Sequence, residues 1–152
     1  MDALPFIDEH SREIDASPDR AWRALPGASA GGRPDRGSSR IARILGCEQS
    51  GVSGTPGEVG STVPGFRVAR SEPPRELALE GRHRFARYEL LFRVDDLGRG
   101  RSRVRAETRA LFPGARGSAY RALVIGSRGH VAATRRMLGG VARRAEGGRM
   151  PA

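Results

Sequence analysis

The chain has 152 residues, 38% of them hydrophobic. That length fits one domain and buries roughly 68–70% of the unfolded surface without help from disulfides or metals. A single cysteine, Cys47, excludes an internal disulfide framework and any multi-cysteine zinc or iron–sulfur site. The 27 basic residues are all arginine and outweigh 17 acidic ones, giving a net charge of +10. Such a charge favours anionic partners, but the total absence of lysine beside abundant alanine and glycine points to the arginine codons of a GC-rich genome.

Residues 1–10 are acidic and carry no basic region followed by an apolar one, so no signal peptide is readable. The longest apolar stretch, Ala122–Ile125, is far short of the ~20 residues needed to span a bilayer. A cytoplasmic protein is the expectation. Phe6 to Ile14 reads as a strand with apolar ends and a polar middle on its even positions. Ser17-Pro18-Asp19 then starts a helix: serine caps free amides, proline at the first helical position loses no needed donor, and aspartate suits the dipole. Trp22 and Leu25 share one face of it, and Pro26-Gly27 is expected to stop it after about nine residues. The Gly/Ser/Pro/Ala-rich stretch 26–39 is expected to be a mobile loop. A second short helix is expected from Ser39 to Leu45, ended by Gly46.

Two-residue periodicity dominates the middle. Val59, Ser61 and Val63, then Phe66 and Val68, alternate around Pro64-Gly65. Leu77, Leu79, Gly81 and His83 form a second set; Tyr88, Leu90, Phe92 and Val94 a third, followed by a turn at 95–100. Val104, Ala106, Thr108 and Ala110 form a fourth. These are consecutive antiparallel strands with one apolar and one wet face. From about Ser118 to Glu146 the period becomes helical, through Tyr120, Leu123, Ser127, His130, Thr134, Leu138 and Val141, with a bend or close packing at Gly126 and Gly129. Residues 147–152 are expected to fray.

A sheet with one apolar face needs a cover, and the final helix is long enough to supply it. The expected architecture is therefore α+β: a curved antiparallel sheet gripping a long C-terminal helix, with two short helices after the first strand, in one domain over residues 1–146. Small inward residues (Ala106, Thr108, Ala110) facing two helix glycines either bring the layers together or leave a hollow. The hollow is the favoured alternative, at roughly 300–1,000 Å³.

The segment from Ile14 to Trp22, Gly60-Ser-Thr-Val63 and the closing 120–138 helix resemble the START/Bet v1-like (SRPBCC) superfamily, over roughly residues 6 to 146. More narrowly, the chain looks like the actinobacterial members labelled polyketide cyclase/dehydrase-like. The resemblance implies the helix-grip fold with a deep cavity. It specifies function poorly, since members bind lipids, sterols, quinones or aromatics and some catalyse cyclisation or ring hydroxylation.

Chemistry must come from the residues. Gly51-Val-Ser53-Gly54 is not the nucleophile elbow, and Cys47 reads as a helix-end residue. His10, His83 and His130 are too far apart in sequence for a metal pair, so no metal or other cofactor is expected. Gly126-Ser-Arg-Gly129 lies inside a helix rather than after a strand, which fails the context of a phosphate loop. The expected pocket lining is Phe66, Leu79, Tyr88, Leu90, Phe92, Thr108, Leu123, Ser127 and His130. Thr134 also falls on the inward helix stripe, and His10 and Arg12 are weaker inward candidates. Each buried polar group must meet a protein partner or a ligand. His130 and Tyr88 are the candidates for acid–base catalysis.

Three functions follow. The leading one is binding of a small, largely hydrophobic molecule in an internal cavity. The alternative is a cyclase/aromatase-like enzyme using the same cavity. The third is binding of nucleic acid or an acidic partner through the arginine face of 101–109, a reading weakened by the absence of outward aromatics for base stacking.

Overall fold

The computed structural model describes residues 4–29, 53–55, 57–63, 65–126 and 129–147, apart from the side chains of residues 27–29, 124, 126, 129 and 130. The expected loop beyond 29, the helix expected at 39–45 and Ser127 lie outside the described residues.

Six strands form one antiparallel sheet: β1 (Phe6–Ile14), β2 (Thr62–Val63), β3 (Phe66–Glu72), β4 (Glu76–His83), β5 (Ala86–Gly98) and β6 (Arg101–Leu111). Their spatial order is β1-β6-β5-β4-β3-β2, so the first strand completes the sheet beside the last. The four sets read from two-residue periodicity correspond to β2–β3, β4, β5 and β6. β5 runs on to Gly98, past the turn expected at 95–100, because Asp95 and Asp96 still pair with Arg103 and Ser102.

Helix α1 (Pro18–Ser29) starts as the sequence requires, with the Ser17 carbonyl accepting from Ala21 N–H at 3.0 Å. It does not stop at Pro26. Proline this near the end removes one hydrogen bond without aborting the last turn, and its ring is seated on Gly57, where an added Cβ would lie 3.0 Å from Pro26 Cγ. Buried Ser102 donates to the Ala16 carbonyl at 2.9 Å and pins the β1–α1 turn to β6.

The C-terminal helical region is not one element. It begins as α2 (Gly114–Arg121), passes through a π-helical turn (Ala122–Gly126) and resumes as α3 (Gly129–Glu146). Gly126, where a bend or close packing was expected, ends the π-turn, and Gly129 opens α3. The extra residue of the π-turn rotates the face presented by everything beyond it. Leu123, placed on the inward stripe by assuming one continuous helix, lies inside the π-turn and is 69% exposed.

α3 buries Thr134, Leu138, Val141, Ala142 and Ala145. That stripe packs on α1 and crosses β1, closing a core around Phe92, Ile14, Leu25, Leu77 and Val104. The end of α3 is tied down where Asp15 N–H donates to Glu146 Oε1 at 3.0 Å.

Candidate functional site

Directly opposed residues in an antiparallel sheet share a face. Val68 faces Leu79, Leu79 faces Leu90, Leu90 faces Thr108, and Thr108 faces Asp8. One straight row therefore crosses five strands on the concave side, apolar at β3 and polar at β1. With strands ~4.8 Å apart, Leu79 and Thr108 are separated by about 10 Å.

At the apolar end lies a cavity of about 30 Å³ lined by Pro26, Phe66, Val68, Leu77 and Leu79, with Ser53, Gly54, Gly57 and residues 61–63 on its rim. It lies at the β3 end, away from the place between sheet and long helix where the hollow was expected from sequence. Ala106 belongs to the core cluster with fully buried Phe92, Val104 and Val141. Of the expected lining residues, Phe66 and Leu79 border this cavity, while Leu90 and Phe92 belong to the packed core. His130 is in the first turn of α3, and its side chain is outside the description.

At the polar end, Thr108 is 7% exposed, and its Oγ1 has no hydrogen-bond partner among the described residues. Beside it His10 Nε2 lies 3.0 Å from Asp8 Oδ2. Both side chains are about one-quarter exposed or less. A carboxylate accepting from Nε2–H leaves Nδ1 as the lone-pair nitrogen, able to accept a hydrogen bond. Asp8 escaped the sequence reading, although it lies two residues from His10 and therefore on the same strand face. Arg12, two residues further, is exposed, and a Cβ on Gly139 would come within 3.6 Å of its guanidinium.

An unsatisfied buried hydroxyl destabilises the fold it sits in. Thr108→Val should therefore raise the unfolding free energy by roughly 1 kcal/mol, read as an increase in melting temperature. A lower melting temperature would mean that Oγ1 has a partner in solution.

Tyr88 is committed to structure. Its hydroxyl donates to the Gly65 carbonyl at 2.6 Å, and its ring packs edge-on against Phe66 at 5.2 Å between centroids. The phenol named from sequence as an acid–base candidate carries this hydrogen bond. The ring passes over Gly81, and a Cβ there would fall 2.3 Å from Tyr88 Cε2 and 2.1 Å from the Gly65 carbonyl oxygen.

His83 sits among Tyr120, Tyr88 and Phe85, with ring centroids 4.8, 5.5 and 6.0 Å away. Its Nδ1 accepts from Phe85 N–H at 3.1 Å. Burial lowers its pKa below the ordinary histidine value. The unfolded chain therefore takes up the proton first, so stability is full above about pH 6.5. It falls as pH drops from there through the folded value. Protonation would also set two donors against each other at Nδ1. A plot of melting temperature against pH should bend downward below about pH 6.5, and His83→Phe should remove that component. An unchanged bend in the variant would contradict the assignment.

The convex face carries a ladder of ion pairs. Glu13 takes Arg101 and Arg103, Asp95 takes Arg105, and Glu107 takes Arg93 and Arg109. Arg101, Arg103, Arg105 and Arg109, the arginine face seen in the sequence, are thus each engaged by a carboxylate.

No protein-family model matches the sequence, and no curated protein matches it. Solved structures do. A conserved protein from Geobacillus kaustophilus superposes with a TM-score of 0.57 at 13% identity, covering 91% of this chain and 94% of that one. Norcoclaurine synthase from Thalictrum flavum, in complex with dopamine and hydroxybenzaldehyde, gives 0.56 at 16% identity, covering 96% and 91%. CalU16 from Micromonospora echinospora gives 0.54 at 18% identity, covering 95% and 90%. The fold is the helix-grip fold of Bet v1-like proteins. α3 packs on α1 and β1 and reaches β6, so it covers the β1 end of the row from Val68 to Asp8. Among the described residues no helix is long and apolar enough to cross a membrane.

Proposed function

We propose that the protein binds a small, largely apolar molecule on the concave face of the helix-grip sheet. The observation that carries this is the row that runs from an apolar cavity at Phe66, Val68 and Leu79 through Leu90 to the polar edge at β1. A cavity of about 30 Å³ holds about one water molecule. A ring system therefore enters by parting Pro26 from Phe66 and the β2 rim. The Thalictrum flavum structure, holding two small aromatic molecules in the same fold, supports the reading.

Ser127 and His130 are proposed to meet the ligand from the helix side, and His130→Ala should weaken binding by ~1–3 kcal/mol. A cytoplasmic location and the narrower likeness to the polyketide cyclase/dehydrase-like proteins form part of the same proposal. A second reading, a cyclase/aromatase-like enzyme, is favoured by one observation: the Asp8–His10 pair, whose free ring nitrogen has the character of a general base. The arginine-face reading is disfavoured because its guanidinium groups are already paired.

Titration with 1-aminoanthracene, an uncharged fluorescent ring system, tests the leading reading. Saturable fluorescence enhancement is expected from the native protein and should be lost in Leu79→Trp, which fills the cavity, provided the variant still melts cooperatively. No enhancement from the wild type, or full enhancement from the filled variant, would overturn it.

A further inference from the structure

We infer that Thr108 and the Asp8–His10 pair form a hydroxyl-recognition subsite, so that the preferred ligand is an apolar ring system ending in an alcohol, phenol or enol. The inference rests on the binding function proposed above and names its ligand class.

Three observations converge on one edge of the concave face. Thr108 Oγ1 is buried and has no partner among the described residues, though a threonine hydroxyl both donates and accepts. Asp8, directly across from Thr108, holds His10 through Nε2 and so fixes which ring nitrogen is left to accept. His10 in turn faces Ala106, which lies beside Thr108 on the same face of β6.

His10 and Thr108 are diagonal neighbours on adjacent strands, a relation that sets side chains roughly 7–8 Å apart. A single oxygen between them can satisfy both. A ligand hydroxyl would donate its proton to His10 Nδ1 and accept from Thr108 Oγ1. An ether or methoxy oxygen can only accept, which leaves the imidazole without a donor. A carbonyl has the same defect. The pair thus selects hydroxyl over its own methyl ether, a discrimination that apolar packing alone cannot supply. The spacing of about 10 Å from Leu79 to Thr108 corresponds to two linked aromatic rings, with the far ring over Leu79 and the hydroxyl at β1.

The matched probes are 4-phenylphenol and 4-methoxybiphenyl, titrated against the wild type, Thr108→Val and His10→Phe. We expect the phenol to bind the wild type at least tenfold more tightly than the ether. In both variants the two compounds should bind within about threefold of each other. Thr108→Val should melt no lower than wild type, which separates loss of the hydroxyl from loss of fold. If both compounds bind the wild type equally and the variants change neither, the subsite is refuted while the apolar binding function stands. If neither compound binds the wild type, both fall together.

Discussion

Replacing Gly81 by alanine should lower the unfolding free energy by about 3 kcal/mol, the largest loss expected from adding one methyl group to this protein. For a chain of this size that is a drop in melting temperature of roughly 6–12 °C. The position lies in the middle of β4, where glycine is ordinarily a weakness because it has no side chain to pack. Here the missing Cβ is the space that lets the Tyr88 ring cross β4 and reach the Gly65 carbonyl. A methyl group would sit 2.1 Å from that carbonyl oxygen and 2.5 Å from Tyr88 Cζ, and neither the turn backbone nor the ring can yield without breaking their hydrogen bond. Because the penalty acts through the ring, a double-mutant cycle with Tyr88→Ala should show strong coupling: alanine at 81 should cost much less once the ring is gone. Additive losses would show that the strain lies with the Gly65 backbone alone.

Glu107→Ala should be nearly as damaging, by about 2–3 kcal/mol at neutral pH. The carboxylate is 5% exposed yet lies on the convex face, in register with buried Leu91, itself in register with Ala78. Removing one member of a fully buried ion pair costs about 3–5 kcal/mol. The figure is reduced here because Arg93 and Arg109 are each about one-third exposed and regain some hydration. Burial alone would push the Glu107 pKa up, but hydrogen bonds from Arg93 and Arg109, and their charges, outweigh it and hold it below the usual carboxylate value. With the folded pKa depressed, the contribution is complete above the unfolded value of about 4.5 and is lost as pH falls through the folded one. The acid limb of the stability curve should therefore flatten in Glu107→Gln. A variant that keeps the wild-type acid limb would assign that limb to other carboxylates.

The architecture was legible because side-chain period is a local property. Leu77, Leu79, Gly81 and His83 declare a strand wherever the chain carries them, and the long helical stripe declares the cover. Phase across an irregularity is not local. Leu123 was assigned inward by extending one helix through Ala122–Gly126, but it lies in a π-turn and is exposed. Pro26 failed as a stop because its seat on Gly57 comes from another part of the chain. The site shows the same divide. Thr108 and His10 were visible as polar residues at inward positions, and Asp8 was available by the same two-residue rule. That Tyr88 is tied to Gly65 depends on which strands are neighbours and in what register.

Methyl NMR of the protein titrated with 1-aminoanthracene bears most directly on binding at the concave face. Leu79, Leu90, Val68 and Thr108 present methyl groups to that face, whereas buried Leu91 belongs to the convex one. Concave-face binding requires saturable shifts at Leu79, Leu90 and Val68, a smaller one at Thr108, and an unmoved Leu91. Shifts centred on Leu91, or none on the concave row, would contradict it.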